Sequence, residues 1–339
     1  MKAIVYTETG DPSVLKLVER APLEPGPGEV RVRIAVSGVN PTDWKSRSGG
    51  EVAFPEVVPH LDAGGVVDAV GPGVEGLAVG DRVWTLLAGY QHRSGGTAQE
   101  STVLQAERVA KLPDNASFDV GASLGVPALT AHRALTVGQD GPTRLAPGAL
   151  DGQLVLVAGG AGAVGHAAIQ LARWAGATVI TTISGPEKAQ LASAAGAHHV
   201  VNYREGGTAE KIRAIAPDGV DLVAEVAPGV NAALNAAVLR NHGTVSIYAN
   251  DGGPSMTLEI IEQIPINARH QFLLVYTLDS TALAAGIADV NAALADGALP
   301  VGVEAGLPLI RFALEQTAEA QAAVEAGAVG KVVVDVAAL

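Results

Sequence analysis

Hydrophobic and polar positions follow one pattern over residues 1–120 and a different one beyond them. In the first part, short apolar or alternating runs are separated by glycine and proline, which is typical of a small β-barrel or sandwich. Strands are expected there over residues 2–6, 31–36, 66–70 and 81–86. In the second part, alanine-rich helical segments alternate with apolar strands. This alternation predicts an α/β fold with a parallel sheet covered by helices on both faces.

The alternating part divides into short predicted elements. Strands are expected over residues 154–157, 177–183, 199–202, 220–226 and 243–247. Helices are expected between them over residues 187–195, 209–215 and 231–239. After Pro254 the pattern predicts an apolar β-like run at 272–278, a helix at 279–296, a helical piece at 312–326 and a last strand at 331–336.

The clearest local signal is a strand that breaks into a glycine turn and continues as a helix, between Leu154 and Trp174. The glycines form either G-x-G-x-x-G, from Gly160, or a triplet spaced by three, from Gly159. Either set lets the backbone approach a pyrophosphate at the positive end of the helix. The expected contacts come from Gly159, Gly160, Ala161, Gly162, Ala163, Val164 and Gly165. The alternative is a tight strand-to-helix turn without a ligand.

Composition and charge narrow the class of protein. A chain of 339 residues with 48% hydrophobic residues is long enough for two domains with cores of their own. A net charge of −13 disfavours nucleic acid and anionic membranes as partners. The chain contains no cysteine, which excludes disulfides, thiolate zinc sites and cysteine nucleophiles. The sequence shows neither a signal core nor an apolar span near 20 residues, so we expect a cytoplasmic protein.

Six segments in a consistent order carry a family resemblance. They are SGVNPTDWKSRSG (37–49), LDAGGVVDAVGPGVEGLAVGDRV (61–83), GGTAQE (95–100), LPDNASFDVGASLGVPALTAHRAL (112–135), VLVAGGAGAVGHAAIQLA (155–172) and GKVVVDV (330–336). With them the chain resembles the zinc-independent branch of the medium-chain dehydrogenase/reductases, the NADPH:quinone oxidoreductase-like family.

The resemblance implies a fold of two domains. A GroES-like β-rich barrel, the catalytic domain, would comprise residues 1–121 and 298–339. A doubly wound Rossmann domain, which binds NADP, would comprise residues 122–297. In relatives, a strand equivalent to residues 272–278 pairs across a dimer axis. An apolar edge strand is otherwise an aggregation hazard, so the resemblance implies a homodimer through this strand.

The resemblance also implies a reaction without a metal. Zinc-dependent relatives have Cys at the position of Asn40 and His at that of Leu61. Leucine has no donor atom and asparagine is a poor zinc ligand. Without a Lewis acid, an alcohol is not readily polarised for hydride loss. Quinones and α,β-unsaturated carbonyls accept hydride without that help, because the charge delocalises into the conjugated system.

The second strand of the dinucleotide domain indicates which cofactor binds. An NAD site usually has an acid at the end of this strand, bonded to the ribose. Here the strand ends in Thr182, Ile183 and Ser184, and the nearest acid is Glu187. Ser184, Lys188 and Tyr203 correspond to residues that hold the 2′-phosphate in NADP-using relatives, and all three are suitable donors. We therefore expect NADPH.

By resemblance, four residues are placed near the chemistry. Asn40 would donate a hydrogen bond to the developing oxyanion, or it is only a turn residue before Pro41. Lys45 departs from the Tyr that some relatives have there; it would supply a positive field or a proton, or it faces solvent. Thr130 would contact the nicotinamide, or bond its own helix. Tyr248 would pack on the nicotinamide or line the acceptor site. Asp43 and Asp62 are interpreted as structural.

The expected function is NADPH-dependent hydride transfer to a quinone or an α,β-unsaturated carbonyl. One alternative is enoyl-thioester reduction on the same scaffold, which would need a basic site for a long anionic carrier. A second alternative is a non-catalytic NADPH-binding or sensing protein, because no obligatory catalytic side chain is identifiable. A short-chain reductase would need Tyr-x-x-x-Lys, which the sequence lacks. The acceptor itself is open, since a fold does not fix a function.

Overall fold

The computed structural model describes residues 1–49, 52, 54–90 and 95–339. They form two compact units: unit 1 comprises residues 1–126 and 308–339, and unit 2 comprises residues 127–307. A strand-rich unit and a unit with a six-stranded parallel sheet confirm the predicted α/β class. Each unit has a hydrophobic core of its own.

Strands predominate in unit 1, whereas strands and helices alternate through unit 2. The strands are β1 (Lys2–Val5), β2 (Lys16–Glu19), β3 (Glu29–Gly38), β4 (Asp62–Val70), β5 (Arg82–Thr85), β6 (Ser101–Gln105), β7 (Val109–Lys111), β8 (Leu154–Ala158), β9 (Thr178–Ile183), β10 (His199–Asn202), β11 (Val220–Glu225), β12 (Leu239–Ile247), β13 (Arg269–Phe272), β14 (Leu309–Ala313) and β15 (Lys331–Asp335). The helices are α1 (Pro41–Ser48), α2 (Phe118–Gly121), α3 (Gly125–Thr136), α4 (Ala163–Trp174), α5 (Pro186–Ala194), α6 (Thr208–Ile215), α7 (Pro228–Val238), α8 (Ile260–Gln263), α9 (Ser280–Ala295) and α10 (Thr317–Glu325).

Unit 1 is built on a seven-stranded sheet in the order β14-β15-β3-β4-β5-β7, with β6 also paired to β3. β1 and β2 form a separate antiparallel pair. The long strand β3 carries the fully buried Val30, Val32 and Ile34 of the core. β15 pairs antiparallel with the end of β3, with Val333 opposite Gly38. This pairing brings Lys331, the first residue of β15, close to the segment that follows β3.

Unit 2 contains six strands in the order β10-β9-β8-β11-β12-β13, all parallel. Its central strands are buried along most of their length, as expected for a parallel sheet between two layers of helices. Because the strands are parallel, all their carboxyl ends meet at one edge. The order reverses between β8 and β11, and this switch point is where such sheets bind ligands.

One predicted element is wrong, and another begins later than expected. Residues 272–278 are not one strand: β13 ends at Phe272, and Val275–Thr277 forms a 3-10 helix. The reason is that the partner strand β12 ends at Ile247, which is paired with Phe272, so only one further backbone bond follows, from Leu273 N to Ile247 O. The helical piece expected at 312–326 is confirmed from Leu314 onward, as a 3-10 turn followed by α10. Its first two residues belong to β14, because Phe312 pairs with Val334 of β15.

Unit 2 ends ten residues later than the expected domain boundary at 297, and unit 1 runs five residues beyond 121. The later end has a visible cause, because α4 holds the segment from 298 to 307. His166 Nε2 donates to Ala305 O at 2.8 Å, and Gln170 Nε2 donates to Pro300 O at 3.0 Å. At the other boundary, Val126 N donates to Asp62 Oδ1 at 2.9 Å, which ties the start of α3 to unit 1.

Protonation of His166 is expected to couple stability to pH. Burial lowers the pKa of His166 to about 4, against a partial upward effect of the Ala305 carbonyl. The pKa of His166 in the folded protein lies below its value in the unfolded chain. The contribution of His166 to the free energy of unfolding is therefore fully present above pH 6.5 and is lost as the pH falls toward 4. Between pH 7.5 and pH 5, we expect His166→Gln to lose roughly 2 kcal/mol less unfolding free energy than the parent.

Urea denaturation at several pH values measures this difference. The exposed His199 provides the matched control, and His199→Gln should follow the parent curve. Parallel curves for the parent and His166→Gln would show that His166 does not cause the pH dependence.

Candidate functional site

The glycine turn between β8 and α4 is tight at three positions and open at a fourth. Gly159 has a φ of +72°, which favours glycine. A methyl group on Gly160 would lie 2.2 Å from Thr181 Oγ1, and one on Gly165 would lie 2.4 Å from Gly159 O. A methyl group on Gly162 would meet only Gly159 O, at an ordinary 3.5 Å. Packing within the protein therefore explains three glycines but leaves space at Gly162.

The open position lies at the N-terminal end of α4. Gly162 precedes the helix and is exposed, Ala163 and Val164 are half-buried, and Ala161 is buried. The first N–H groups of a helix have no acceptor within it, and the helix dipole adds positive potential there. This end of α4 can therefore receive an anionic group such as a pyrophosphate.

Ser184 and Tyr203 come together at the ends of two neighbouring parallel strands. Ile183 is paired with Asn202 across β9 and β10, and each candidate directly follows one member of that pair. Lys188 lies in the first turn of α5, and Tyr203 is 49% exposed. Glu187 is exposed in the same turn, so β9 ends without a buried acid. A hydroxyl, a phenol and an ammonium group thus lie at the carboxyl edge of the sheet, near the ends of β9 and β10.

Thr130 and Tyr248 lie in unit 2 on two elements that are bonded together. Thr130 is buried in α3, and Ser246 Oγ of β12 donates to Ala134 O of the same helix at 2.8 Å. Tyr248 directly follows β12 at the carboxyl edge of the sheet. Burial, with contributions from Glu225 and Asp251, raises the pKa of Tyr248 above its usual range. Its phenol is therefore neutral and is a potential hydrogen-bond donor.

In unit 1, Asn40 is the centre of a buried polar cluster with Lys331 and Asp62. Lys331 Nζ donates to Asn40 Oδ1 at 2.7 Å and to Val39 O at 3.1 Å. Asn40 Nδ2 donates to Asp62 Oδ2 at 2.6 Å. An ammonium group only donates and a carboxylate only accepts, so these partners fix the orientation of the amide. Asn40 is 2% exposed, and one of its two amide hydrogens is already used.

Asp43 holds the start of α1, as expected from the sequence. Its Oδ2 accepts the N–H of Asn40 at 2.6 Å, which closes the first turn of the helix. Later in the same helix, the fully buried Arg47 donates to Gly10 O at 2.6 Å and to Glu325 Oε2 at 2.7 Å. Lys45 lies on the exposed face, with Nζ 5.9 Å from the centre of the Trp44 ring.

Burial shifts the pKa of each charged group in the cluster toward its neutral form. It raises the pKa of Asp43 to about 7, assisted by Asp62 and opposed by the N–H of Asn40 and by Lys331. It also raises the pKa of Asp62 and lowers that of Lys331. The cluster contains two carboxyl groups and one ammonium group. We conclude that the positive charge of Lys331 is what makes burial of both carboxyl groups tolerable.

A chain of hydroxyl groups beside this cluster fixes the tautomer of His60. The carbonyl of Asp62 can only accept, so Thr97 Oγ1 donates to it, at 2.9 Å. Thr97 must then accept from Ser37 Oγ at 2.7 Å, and Ser37 must accept from His60 Nδ1 at 3.0 Å. Nε2 is left as a bare acceptor, buried and without a partner among the described residues. Burial and the charge of Lys331 lower the pKa of His60 to about 3, so the ring is neutral.

Three residues of these sites escaped the sequence analysis: Lys331, His60 and Glu225, the buried last residue of β11. Two of them carry a signal in the sequence. Lys331 and Glu225 are charged residues inside apolar strands, GKVVVDV and VDLVAEV, where a charge is buried only if it has partners. His60 shows no such pattern, because its unusual features are a φ of +73° and its burial.

Neutralising Lys331 is expected to destabilise unit 1 strongly. Lys331→Met would leave two buried carboxyl groups without their cation and Asn40 Oδ1 without its donor. Loss of one partner of a buried pair costs about 3–5 kcal/mol, and urea denaturation of the purified variant measures it. Lys2→Met is the matched control, because Lys2 pairs with Glu315 at the surface and should matter little. Equal midpoints for the two variants would contradict the role given to Lys331.

Two family models match the chain, one in each unit. Residues 26–114 match the alcohol dehydrogenase GroES-like domain, and residues 163–277 match a model described as zinc-binding dehydrogenase. The residues present do not fit a zinc ion. The oxygen of Asn40 accepts from Lys331, Leu61 has no donor atom, and the described residues contain no group of three or more His, Asp or Glu that could hold a metal.

Individual relatives match almost the whole chain. Quinone oxidoreductase from Lama guanicoe is 33% identical over 98% of this chain and 97% of its own. The 2-haloacrylate reductase from a Burkholderia species is 32% identical over 78% of each chain. A mycobacterial protein whose structure is complexed with NADPH is 30% identical over 98% of this chain and 99% of its own, with a TM-score of 0.82. The chain belongs to the quinone oxidoreductase-like family of medium-chain dehydrogenase/reductases.

Proposed function

We propose that this protein is an NADPH-dependent reductase that transfers hydride to a quinone or an α,β-unsaturated carbonyl without a metal. The observation that carries the proposal is the edge of unit 2, where space at Gly162 adjoins the end of α4 and Ser184 and Tyr203 follow paired strand ends. These groups suit the pyrophosphate and the 2′-phosphate of one dinucleotide. The mycobacterial relative in complex with NADPH supports the same choice of cofactor.

The residues of unit 1 support an acceptor that needs no Lewis acid. A lysine, rather than a metal, is bonded to Asn40. In the reaction we propose, the hydride carries two electrons to the conjugated acceptor, and its oxygen then takes one proton. Water or the exposed Lys45 would supply that proton. The relatives named for quinones and for 2-haloacrylate both have conjugated substrates, which is consistent with this class.

Besides Lys45, three residues are proposed to act at the acceptor and the nicotinamide. Asn40 would use its second amide hydrogen to stabilise the developing negative charge on the acceptor oxygen, with Lys331 and Asp62 holding its amide in place. Thr130 and Tyr248 would contact the nicotinamide half of the cofactor. Most of the rate acceleration would then come from positioning and electrostatics, since no general base is needed.

We also propose that the protein forms a homodimer through the edge of the six-stranded sheet. The edge strand is β13 rather than residues 272–278. Phe272 is 62% exposed and Leu274 is 47% exposed along this edge. A second copy would cover both side chains and continue the sheet, which removes an exposed apolar edge.

Replacing Lys188 should weaken NADPH binding without affecting NADH. A single charged contact to a phosphate is worth about tenfold in affinity, so Lys188→Ala should raise the KM for NADPH by about that factor. Steady-state kinetics with both nucleotides measures the change. Lys211→Ala is the control, because Lys211 is an exposed lysine of the same unit that pairs with Glu205. A parallel rise in both KM values would argue against a 2′-phosphate site at Lys188.

The acceptor class is tested by oxidation of NADPH against a benzoquinone, an ortho-quinone, a simple enone and a crotonyl thioester. We expect turnover with the quinones or the enone, because these accept hydride without a metal. Turnover with the thioester alone would favour enoyl-thioester reduction. NADPH binding without turnover across the panel would favour a sensing protein.

A further inference from the structure

Glu225, at the end of β11, carries a fully buried carboxylate at the carboxyl edge of the six-stranded sheet. Oε1 accepts from Ala227 N at 2.6 Å and from Asn231 Nδ2 at 3.0 Å, and Oε2 accepts from Asn235 Nδ2 at 2.7 Å. The donors that the structure shows to it are a backbone N–H and two asparagine amides, all neutral. A buried charge matched only by neutral donors is costly to keep, so it calls for an explanation.

The topology of unit 2 alone places Glu225 relative to a bound dinucleotide. The residues proposed for the 2′-phosphate, Ser184 and Tyr203, follow β9 and β10, on one side of β8. The glycine turn follows β8 itself. β11 and β12 lie on the other side, so a dinucleotide that spans the switch point has its nicotinamide half over their ends.

The turn after β11 directly adjoins the glycine turn. Val226, the next residue, has its Cγ1 3.3 Å from where a methyl group on Gly159 would lie. The N–H of Tyr248, at the end of β12, donates to Glu225 O at 3.2 Å. The backbone of Glu225 thus lies beside the ends of β8 and β12, and its carboxylate is buried against the start of α7, on the nicotinamide side of the switch point.

We propose that the negative charge of Glu225 stabilises the positive charge that the nicotinamide ring acquires when its hydride leaves. This inference rests on the proposed NADPH-dependent reaction. In that reaction the C4–H bond of the reduced ring breaks, and both electrons leave with the hydride to form a bond to the acceptor. The ring changes from neutral to a charge of +1, and the acceptor oxygen takes a proton from solvent.

The effect on catalysis follows from which state carries the charge. Glu225 has little interaction with the neutral reduced ring and attracts the oxidised one. Only an interaction that is stronger in the transition state than in the ground state raises the rate. A fixed carboxylate in a water-excluded site meets this condition, because the ring is already partly positive in the transition state. The same charge should make NADP+ bind more tightly relative to NADPH.

Glu225 also stabilises the start of α7, because its carboxylate accepts hydrogen bonds from Ala227 N and from the side chains of Asn231 and Asn235. Glu225→Gln can separate this stabilising role from its charge, since the two side chains have nearly the same shape. Asn235 Oδ1 is buried without a partner. Rotation of that amide by half a turn would present Oδ1 to the new side-chain N–H₂ group. The variant therefore keeps its hydrogen bonds and loses only the charge.

The test measures the dissociation constants of NADP+ and NADPH for the parent and for Glu225→Gln, by isothermal titration calorimetry. We expect the Kd of NADP+ to rise about three- to tenfold, which is the size of a charge interaction weakened by a polar surrounding. The Kd of NADPH should change less than about twofold. An unchanged ratio of the two constants would overturn the inference.

Two further variants control the result. Asp289→Asn removes another buried carboxylate of unit 2, bonded to His132 at 2.8 Å, and should leave the ratio unchanged; an equal shift in both variants would overturn a specific role for Glu225. Asn231→Lys places an ammonium group beside Oε1 on a partly exposed helix position. It should shift the ratio in the same direction even if Glu225→Gln does not fold, and no shift would count against the inference.

The outcomes separate this inference from the proposed function. A parent protein that binds neither nucleotide overturns the proposed function, and this inference with it. If the parent binds both nucleotides and neither Glu225→Gln nor Asn231→Lys changes the ratio of the two dissociation constants, this inference alone is overturned.

Discussion

The fold of unit 1 depends on the requirement that buried ionisable groups find partners. Lys331, Asp43 and Asp62 are all shielded from water, and the amide of Asn40 joins the ammonium group to one of the carboxyl groups. Each partner comes from a different segment: β15, the start of α1 and the start of β4. Because a buried charge without its partner is unfavourable, the positions of these three segments are energetically coupled. The polar cluster therefore links these segments through specific hydrogen bonds within an otherwise apolar sheet.

Unit 2 depends on a different constraint, the common direction of its strands. Because all six are parallel, residues that are far apart in sequence arrive at one edge whenever they follow a strand. Gly162, Ser184, Tyr203, Glu225 and Tyr248 all reach that edge in this way. The backbone thus determines where the residues proposed to bind the cofactor lie, and their side chains determine the charge at that edge. The same edge offers donors on one side of the switch point and a carboxylate on the other.

Much of this arrangement could be predicted from the sequence, because it depends on local patterns. The glycine turn, the strands around it and their parallel order follow from periodicity and from turn residues. The extent of β13 could not be predicted, because it depends on where its partner β12 ends. The contact of Lys331 with Asn40 spans 291 positions of the chain, and no local pattern encodes it. Gly162 has open space beside it and Gly165 has none, and this difference is visible only when the neighbouring atoms are in place.

The position of β15 has a consequence for how the protein is made. Unit 1 is completed by residues 308–339, which a ribosome adds only after the whole of unit 2. During synthesis, Asp43 and Asp62 leave the ribosome long before Lys331 is added. The first segment of unit 1 therefore lacks the cation that pairs with these carboxyl groups in the folded protein. Unit 2 is continuous and meets no such delay, and domains generally fold as units in the order in which they emerge. The order of the chain thus allows unit 2 to fold before β15 is available to complete unit 1.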